Sequence, residues 1–246
     1  TRGNHGQSIP FAAARVGIKS TIVCPVGNSP EKNAAMRALG ANVIEFGNDF
    51  DEARAEAAAL AERHQLHLVP AFHPDLIRGV ATYALELFEA VADLHTVYVP
   101  IGMGSGICGL IQTRDLLGLN TEIVGVVSQH ADAFAQSVEQ GHVVCTDTAH
   151  TFADGLACRQ PLPEALAIIA RGAARIIRVS DREIAHAIRV CHQTTHNTAE
   201  GAGAAALAGL IKEQSQQQGR RVAVILSGAN IDRQLYAGIL SEGFDA

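Results

Sequence analysis

TVYVPIGMGSGICG, residues 96 to 109, predicts a buried strand, a glycine-rich turn and the start of a helix. Val97, Tyr98 and Val99 are β-branched or aromatic residues without helical periodicity, and the strand they predict ends at Pro100. Glycines then stand at positions 102, 104, 106 and 109, where they allow close approach of the backbone to a ligand. Since the first N–H groups of the following helix lack internal acceptors, the stretch predicts an anion site, most often for phosphate. A tight turn without a ligand is the alternative.

The spacing of this loop leaves the phosphate compound open. Residues 104 to 109 fit the G-x-G-x-x-G pattern, so a dinucleotide is a candidate. That interpretation requires an acidic residue at the end of the next strand, where it would hold a ribose. The next predicted strand, residues 121–127, has its only acid, Glu122, at its beginning, and Ser128 follows its end. The sequence therefore favours a smaller phosphorylated cofactor over NAD.

The amino-acid composition limits the classes of protein to which this chain can belong. The chain has 246 residues, of which 48% are apolar, so it is expected to fold into one large domain or two modest ones. Its net charge of −6, without a basic block, argues against a nucleic-acid partner. No apolar run reaches the roughly 18 residues of a membrane helix. The five scattered cysteines form no C-x-x-C pair and indicate reduced thiols in a cytoplasmic protein.

Strand and helix patterns alternate along the chain and predict an α/β fold with parallel strands. Residues 1–74 read as a small βαβαβ domain, with strands at 20–25, 42–46 and 66–70. Residues 75–246 read as a larger domain, in which Ser180 and Glu183 predict a helix-capping box. Three loops, 1–7, 102–109 and 227–230, are predicted beside strand ends or helix starts, the edge where α/β sheets bind ligands.

Short motifs in these loops all resemble motifs of one group of enzymes. TRGNHGQS (residues 1–8) is similar to the S-x-G-N-H-x-Q loop of pyridoxal-phosphate enzymes of fold type II, the tryptophan-synthase-β-like group. IGMGSGICG (101–109) resembles their phosphate loop, and LSGANID (226–232) resembles their terminal SGGN turn. FADGLAC (152–158) and AEGAGAAALAGL (199–210) resemble the threonine and serine dehydratase branch. The resemblance covers essentially the whole chain. It implies two open, twisted, mainly parallel sheets flanked by helices, with an N-terminal part of the fold missing from this sequence.

The resemblance also implies roles for individual residues. Asn4 would bind the 3′-oxygen of the cofactor ring, Glu200 would lie beside the ring, and Ser227 would meet the ring nitrogen. Asp154 would lie near the substrate side chain. Helix capping by Glu200 and a turn role for Asp154 stay open as alternatives. The cofactor phosphate would be held by Gly102, Met103, Gly104, Ser105 and Gly106, and the substrate carboxylate by Thr1, Gly3, Asn4 and His5.

The implied activity is pyridoxal-phosphate-dependent dehydration and deamination of L-threonine, L-serine or both to a 2-oxo acid and ammonia. A related hydroxyaspartate dehydratase, a serine racemase and a non-catalytic fragment are alternatives. Arg2 stands where relatives carry a small residue, which disfavours racemisation. Aid to an anionic substrate and a side chain that points away from the site are the two alternatives for Arg2. The absence of a regulatory domain after the last helix suggests the short, catabolic type, unless this end of the sequence is truncated as well. The family is usually dimeric or tetrameric, so a homo-oligomer is expected.

Two expected absences complete the interpretation. The family lysine that bonds the cofactor lies upstream, in an S-x-K-x-R-G-like stretch. None of the lysines of this sequence, Lys19, Lys32 and Lys212, has that setting, so no catalytic residue is assigned within it. His192 and His196 are four residues apart, but no cluster of acids or thiols joins them, and Ser128 replaces the acid of the racemase metal site. No metal site is expected.

Overall fold

The computed structural model describes Thr1 and residues 3 to 241, which form two compact units. The first unit runs from Thr1 to Ala71 and the second begins at Phe72. Arg2, whose role the sequence raised, lies outside the described residues. In the described part of the chain, no helix combines the length and apolar character needed to cross a bilayer.

The first unit pairs two short parallel strands and packs three helices with them. In chain order, its elements are α1 (Asn4–Arg15), β1 (Thr21–Cys24), α2 (Pro30–Ala38), β2 (Asn42–Glu45) and α3 (Phe50–Arg63). Thr21 pairs with Asn42 and Cys24 with Glu45 in parallel register. Ile22, Met36 and Ala41 form a small buried core between the strands and α2.

Two local predictions for this unit were wrong. Residues 66–70 form no strand, because Leu66, Leu68 and Val69 stay exposed and pair with neither β1 nor β2. The predicted loop 1–7 is helical from Asn4 onward, with the amide of Gln7 donating to the carbonyl of Gly3 at 3.1 Å. Asn4 and His5 therefore occupy the first turn of a helix.

The second unit is built on a four-stranded parallel sheet with helices on both faces. Its elements follow in chain order as α4 (Pro74–Ala90), β3 (Thr96–Pro100), α5 (Ser105–Leu116), β4 (Glu122–Ser128), α6 (Ala133–Gln140), a 3₁₀ turn (Asp154–Leu156), α7 (Pro163–Gly172), β5 (Arg175–Val179), α8 (Asp181–Thr195), α9 (Gly201–Lys212), a 3₁₀ turn (Gln214–Gln217), β6 (Val222–Val224) and α10 (Arg233–Leu240). The strand order is β5-β4-β3-β6. With the parallel pair of the first unit, this confirms the predicted α/β fold of two parallel sheets.

Alternation along β3 separates two apolar cores. Val97 and Val99 lie in a core with Phe88 of α4 and Ile111 of α5, while Tyr98 lies in a second core with Ile188 of α8 and alanines of α9. Successive strand residues point to opposite faces, so both sides of the sheet are buried, as expected for parallel strands flanked by helices.

The order of the strands decides where a ligand can approach the sheet. The chain passes from β3 to β4 and β5 on one side and returns to β6 on the other side of β3. In open α/β sheets the carboxyl ends of the strands at such a reversal flank a crevice. The segments that follow β3 and β6 therefore lie side by side at the binding edge, and they contain residues 102–106 and 227–230.

Candidate active site

The glycine loop after β3 presents unpaired backbone N–H groups. The amide of Ile101 donates to the carbonyl of Val126 at 2.8 Å, and the next backbone donor within the described residues is Cys108, bonded to the carbonyl of Gly104 at 3.0 Å. The N–H groups of residues 102 to 107 thus have no acceptor in the described part of the chain. Since α5 begins at Ser105, two positions before its predicted start, this run includes the free first turn of a helix.

The backbone conformation of Gly104 and one hydrogen bond from Tyr83 fix the shape of the loop. Gly104 is the residue before α5 and has a φ of 97°, a left-handed conformation that glycine adopts without strain. The hydroxyl of Tyr83 on α4 donates to the carbonyl of Gly106 at 2.8 Å. Burial raises the pKa of Tyr83, so the hydroxyl keeps its proton and remains a donor. A Cβ at Gly106 would meet no other heavy atom within 4 Å, so the space beside this glycine is open.

Three further segments are joined to the loop by successive close contacts. A Cβ on Gly102 would overlap the carbonyl oxygen of Gly155, and one on Gly155 would lie 2.8 Å from the Cβ of Ala202. A Cβ on Gly203 would overlap the carbonyl oxygen of Gly228. The structure therefore brings together residues 102–106, the 3₁₀ turn that contains Asp154, the start of α9 after Glu200, and the segment that contains Ser227.

Glu200 and Ser227 differ in environment. Glu200 is buried, with 5% of its surface exposed, and precedes α9 without accepting a side-chain capping hydrogen bond. Glu200 thus stands at the N-cap position that the alternative suggested by the sequence requires, but its side chain makes no capping hydrogen bond. The amide of Glu200 donates to the carbonyl of Gly228 at 3.1 Å, which ties it to the segment of Ser227. Ser227 itself is exposed.

The remaining predicted residues lie at the start of α1 in the first unit. Gly3 precedes the helix and is buried, Asn4 is exposed and His5 is half-buried. The nitrogen of Thr1 donates to the carbonyl of Val23 in β1 at 2.8 Å. Burial lowers the pKa of His5, against the opposing effect of a hydrogen bond to Val69, so the ring is neutral at pH 7.

Several residues that position these segments were missed by the sequence analysis. Tyr83 holds Gly106, and Asp181 accepts hydrogen bonds from Thr151 and Phe152, next to Asp154. The only signal for Asp181 was its place at the first position of a helix, which is common for acids. No group of three or more histidine, cysteine or acidic side chains within the described residues could hold a metal ion.

Comparisons with known proteins place this arrangement in a family. The family model described as "Pyridoxal-phosphate dependent enzyme" matches residues 1–228. An L-threonine ammonia-lyase of Geobacter sulfurreducens is 33% identical over 245 residues, which cover 99% of this chain and 61% of the relative. An L-threo-3-hydroxyaspartate ammonia-lyase of Pseudomonas sp. is 31% identical over 97% of this chain and 75% of its own length.

A solved structure gives the same result for the fold. The processed form of threonine deaminase isoform 2 from Solanum lycopersicum superimposes with a TM-score of 0.91 at 31% sequence identity, covering 98% of this chain and 71% of that one. The chain spans only 45% to 61% of the length of several curated threonine dehydratases and ammonia-lyases that it matches.

Proposed function

This chain belongs to the pyridoxal-phosphate dependent enzyme family, and from that premise we propose that the whole protein dehydrates and deaminates L-threonine, L-serine or both to a 2-oxo acid and ammonia. The observation that carries the proposal is the run of unpaired N–H groups in residues 102–107, beside the segments of Asp154, Glu200 and Ser227. The sequence predicted cofactor and substrate contacts in these segments and further ones at residues 1–5.

The glycine loop fits the phosphate of pyridoxal 5′-phosphate. Its unpaired amides run into the first turn of α5, the positive end of the helix, where an anion is stabilised by the helix dipole and by hydrogen bonds. The space beside Gly106, which any larger residue would fill, leaves room for phosphate oxygens. In this proposal the phosphate is held by the amides of Gly102, Met103, Gly104, Ser105 and Gly106 together with the Ser105 hydroxyl.

Residues around the loop would orient the cofactor ring. Ser227 would face the ring nitrogen, and a hydroxyl there does not keep the nitrogen protonated as a carboxylate would. Glu200 would lie beside the ring, and Asn4 would bind the ring 3′-oxygen. When bound, the cofactor supplies an electron sink for charge that develops at the substrate Cα. Because Ser227 would not keep the ring nitrogen protonated, the ring would withdraw electrons less strongly, which suits elimination of a β-hydroxyl group.

Further residues would bind the substrate. Thr1, Gly3, Asn4 and His5 would hold the carboxylate of the amino acid, mainly through N–H groups. Asp154 would lie near the hydroxyl-bearing side chain. No residue of this sequence is proposed to bond the cofactor covalently or to move the α-proton.

The test uses the full-length protein that contains this sequence, purified with pyridoxal 5′-phosphate. We expect a cofactor absorbance band near the visible range and release of 2-oxobutyrate from L-threonine or pyruvate from L-serine. Reading the upstream coding sequence shows whether a lysine in an S-x-K-x-R-G-like setting precedes Thr1. A full-length protein that binds the cofactor but forms no oxo acid from any hydroxy amino acid would overturn the proposal.

A second candidate is dehydration of 3-hydroxyaspartate, which the similarity to the Pseudomonas enzyme favours. Arg2 supplies a cation in the substrate loop of the sequence, and a second substrate carboxylate would suit it. A substrate panel that includes L-threo-3-hydroxyaspartate separates the two candidates, and chiral analysis of recovered serine tests for racemisation.

We further propose that the protein is a cytoplasmic homo-oligomer, a dimer or tetramer, with a small hydroxy amino acid as its partner and no nucleic-acid or membrane partner. The larger domain, 75–246, is proposed as the cofactor-binding domain and 1–74 as the smaller one. Light scattering during size-exclusion chromatography of the full-length protein would give the number of subunits.

A further inference from the structure

A single carboxylate outside the predicted site holds the segment that carries Asp154. The hydroxyl of Thr151 donates to one oxygen of Asp181 at 2.6 Å, and the amide of Phe152 donates to the other oxygen at 3.2 Å. Asp181 stands at the first position of α8, 30 residues away in sequence. Both carboxylate oxygens are therefore committed to residues 151 and 152.

The hydrogen bonds continue from these residues to the backbone of Asp154. The Thr151 hydroxyl oxygen accepts from the amide of Ala153 at 3.1 Å, and the amide of Asp154 donates to the carbonyl of Phe152 at 2.9 Å. The 3₁₀ turn then closes through the amide of Leu156, which donates to the carbonyl of Ala153 at 2.8 Å. The position of the Asp154 backbone is thus linked to Asp181 through consecutive hydrogen bonds.

The same turn is also packed against the glycine loop and the start of α9. A Cβ on Gly201 would lie 2.7 Å from Ala153, and the carbonyl of Gly155 fills the space where a Cβ of Gly102 would lie. Since these contacts are made by backbone atoms, the turn cannot shift toward the loop without collision. Asp181 is a polar anchor of the turn, and it also lines a cavity of about 450 Å³ with His150, Ser180 and Arg182.

An acidic residue at a helix start that contacts no distant segment would have a different effect when it is replaced. Such an acid stabilises its own helix through the dipole, and an amide substitution would cost only that interaction. At Asp181 the dipole role is shared by Glu183, which completes a capping box with Ser180. The two acids therefore stand two positions apart on the same helix, but only Asp181 reaches the segment of Asp154.

We infer that Asp181 is a positioning residue for substrate binding, acting through Thr151 on the turn that contains Asp154. The inference rests on the proposed function, in which Asp154 lies near the substrate side chain. Asp181 itself contacts neither substrate nor cofactor in this scheme. Its removal should therefore weaken recognition of the amino acid while leaving the phosphate loop and its affinity for the cofactor in place.

The test compares Asp181→Asn and Thr151→Val with Glu183→Gln in the full-length holoenzyme. We expect Asp181→Asn and Thr151→Val to raise KM, and the substrate concentration that half-saturates the change in cofactor absorbance, by about tenfold or more, because small displacements in a site are costly. Cofactor affinity should change less than threefold. Thr151→Ser, which keeps the hydroxyl, should restore the wild-type values. Glu183→Gln removes a negative charge from the first turn of the same helix and should leave KM unchanged.

A second measurement does not depend on turnover. Amide hydrogen exchange of residues 151–156 should accelerate at least tenfold in Asp181→Asn and stay at the wild-type rate in Glu183→Gln. Unchanged KM and unchanged exchange in Asp181→Asn would overturn the inference, as would equal effects of Glu183→Gln. Faster exchange in a protein whose wild type has no activity on hydroxy amino acids would instead overturn the proposed function and keep the anchoring role.

Discussion

Two glycines of the larger unit illustrate opposite reasons for the absence of a side chain. At Gly203 a Cβ would overlap the carbonyl oxygen of Gly228, so the glycine permits contact between α9 and the segment of Ser227. At Gly106 nothing within 4 Å would meet a Cβ, so the glycine leaves space free beside the loop of unpaired amides. The first residue is therefore expected to matter for folding and the second for binding.

Replacing Gly203 with alanine should destabilise the protein. The new methyl group meets a backbone carbonyl that moves only with its whole segment, and overpacking of this kind costs about 1–3 kcal/mol in free energy of unfolding. Urea unfolding monitored by circular dichroism measures the change. Gly79→Ala is the matched control, since Gly79 is exposed within α4 and has open space. It should stabilise the protein by up to about 1 kcal/mol. Equal stability of the two variants would contradict the expectation.

Replacing Gly106 with alanine should reduce cofactor binding without changing the stability of the fold. The methyl group enters open space, so we expect the free energy of unfolding to stay within about 1 kcal/mol of wild type. In the full-length protein the same group would crowd the cofactor phosphate and lower the affinity for pyridoxal 5′-phosphate at least tenfold, measured by fluorescence titration. Wild-type affinity in this variant would argue against the phosphate assignment of the loop.

At the scale of elements, one hydrogen-bond network joins three strands to a helix end. The hydroxyl of Tyr98 in β3 donates to a carboxylate oxygen of Glu213 at 2.7 Å and accepts from the side-chain amide of Gln217 at 2.9 Å. Arg175 in β5 donates to the same Glu213 oxygen at 2.6 Å and to Glu122 of β4 at 3.2 Å. Every member is satisfied by another, which is the condition for a buried polar network to stabilise a fold.

Removing the Tyr98 hydroxyl should therefore lower the free energy of unfolding more than removing a tyrosine hydroxyl that is less deeply buried. Tyr98→Phe leaves the amide of Gln217 without this acceptor, and an unsatisfied buried group costs about 1–3 kcal/mol. Tyr236→Phe is the matched control, because its hydroxyl bonds His192 at 3.0 Å in a half-buried setting. We expect the control to lose less than about 1 kcal/mol in the same unfolding measurement. A smaller loss for Tyr98→Phe than for the control would contradict this account.

At the scale of the whole molecule, paired carboxylates couple stability to pH. Hydrogen bonds from Arg175 lower the pKa of Glu213, and those from Arg178 lower the pKa of Glu139. A carboxyl whose pKa is depressed in the folded state contributes stability above its unfolded pKa, and that contribution is lost as pH falls through the folded pKa. Both groups therefore favour the folded state at neutral pH.

We expect the urea midpoint to fall between about pH 5 and pH 3, since unfolded glutamate titrates near 4.3. Glu213→Gln should make the decline shallower because one of the linked protons is removed. A midpoint that rises with acidification, or an unchanged slope in Glu213→Gln, would exclude these pairs as the cause. Asp115→Asn, at an exposed carboxylate, serves as the control variant.

Local chemistry made much of this molecule predictable. The capping box of Ser180 and Glu183 depends on residues three apart, and its prediction was confirmed. The glycine loop was likewise predictable from its own residues, although the tether by Tyr83 was not. The strand expected at 66–70 was wrong because a strand requires a neighbour, which a local apolar pattern does not reveal. Asp181 was missed for the same reason, since its partners lie 30 residues away.

Pairing of β3 with β6 also has a consequence for the order in which the chain folds. Thr96 pairs with Val222, so the partner on one side of the central strand is synthesised about half a chain length later. At ribosomal speeds, that delay is on the order of ten seconds. Throughout it, one edge of β3 and the Tyr98 hydroxyl lack their final partners, and an open strand edge is prone to pair with other chains. Slower expression at low temperature, or chaperones that shield this edge, should therefore favour soluble protein.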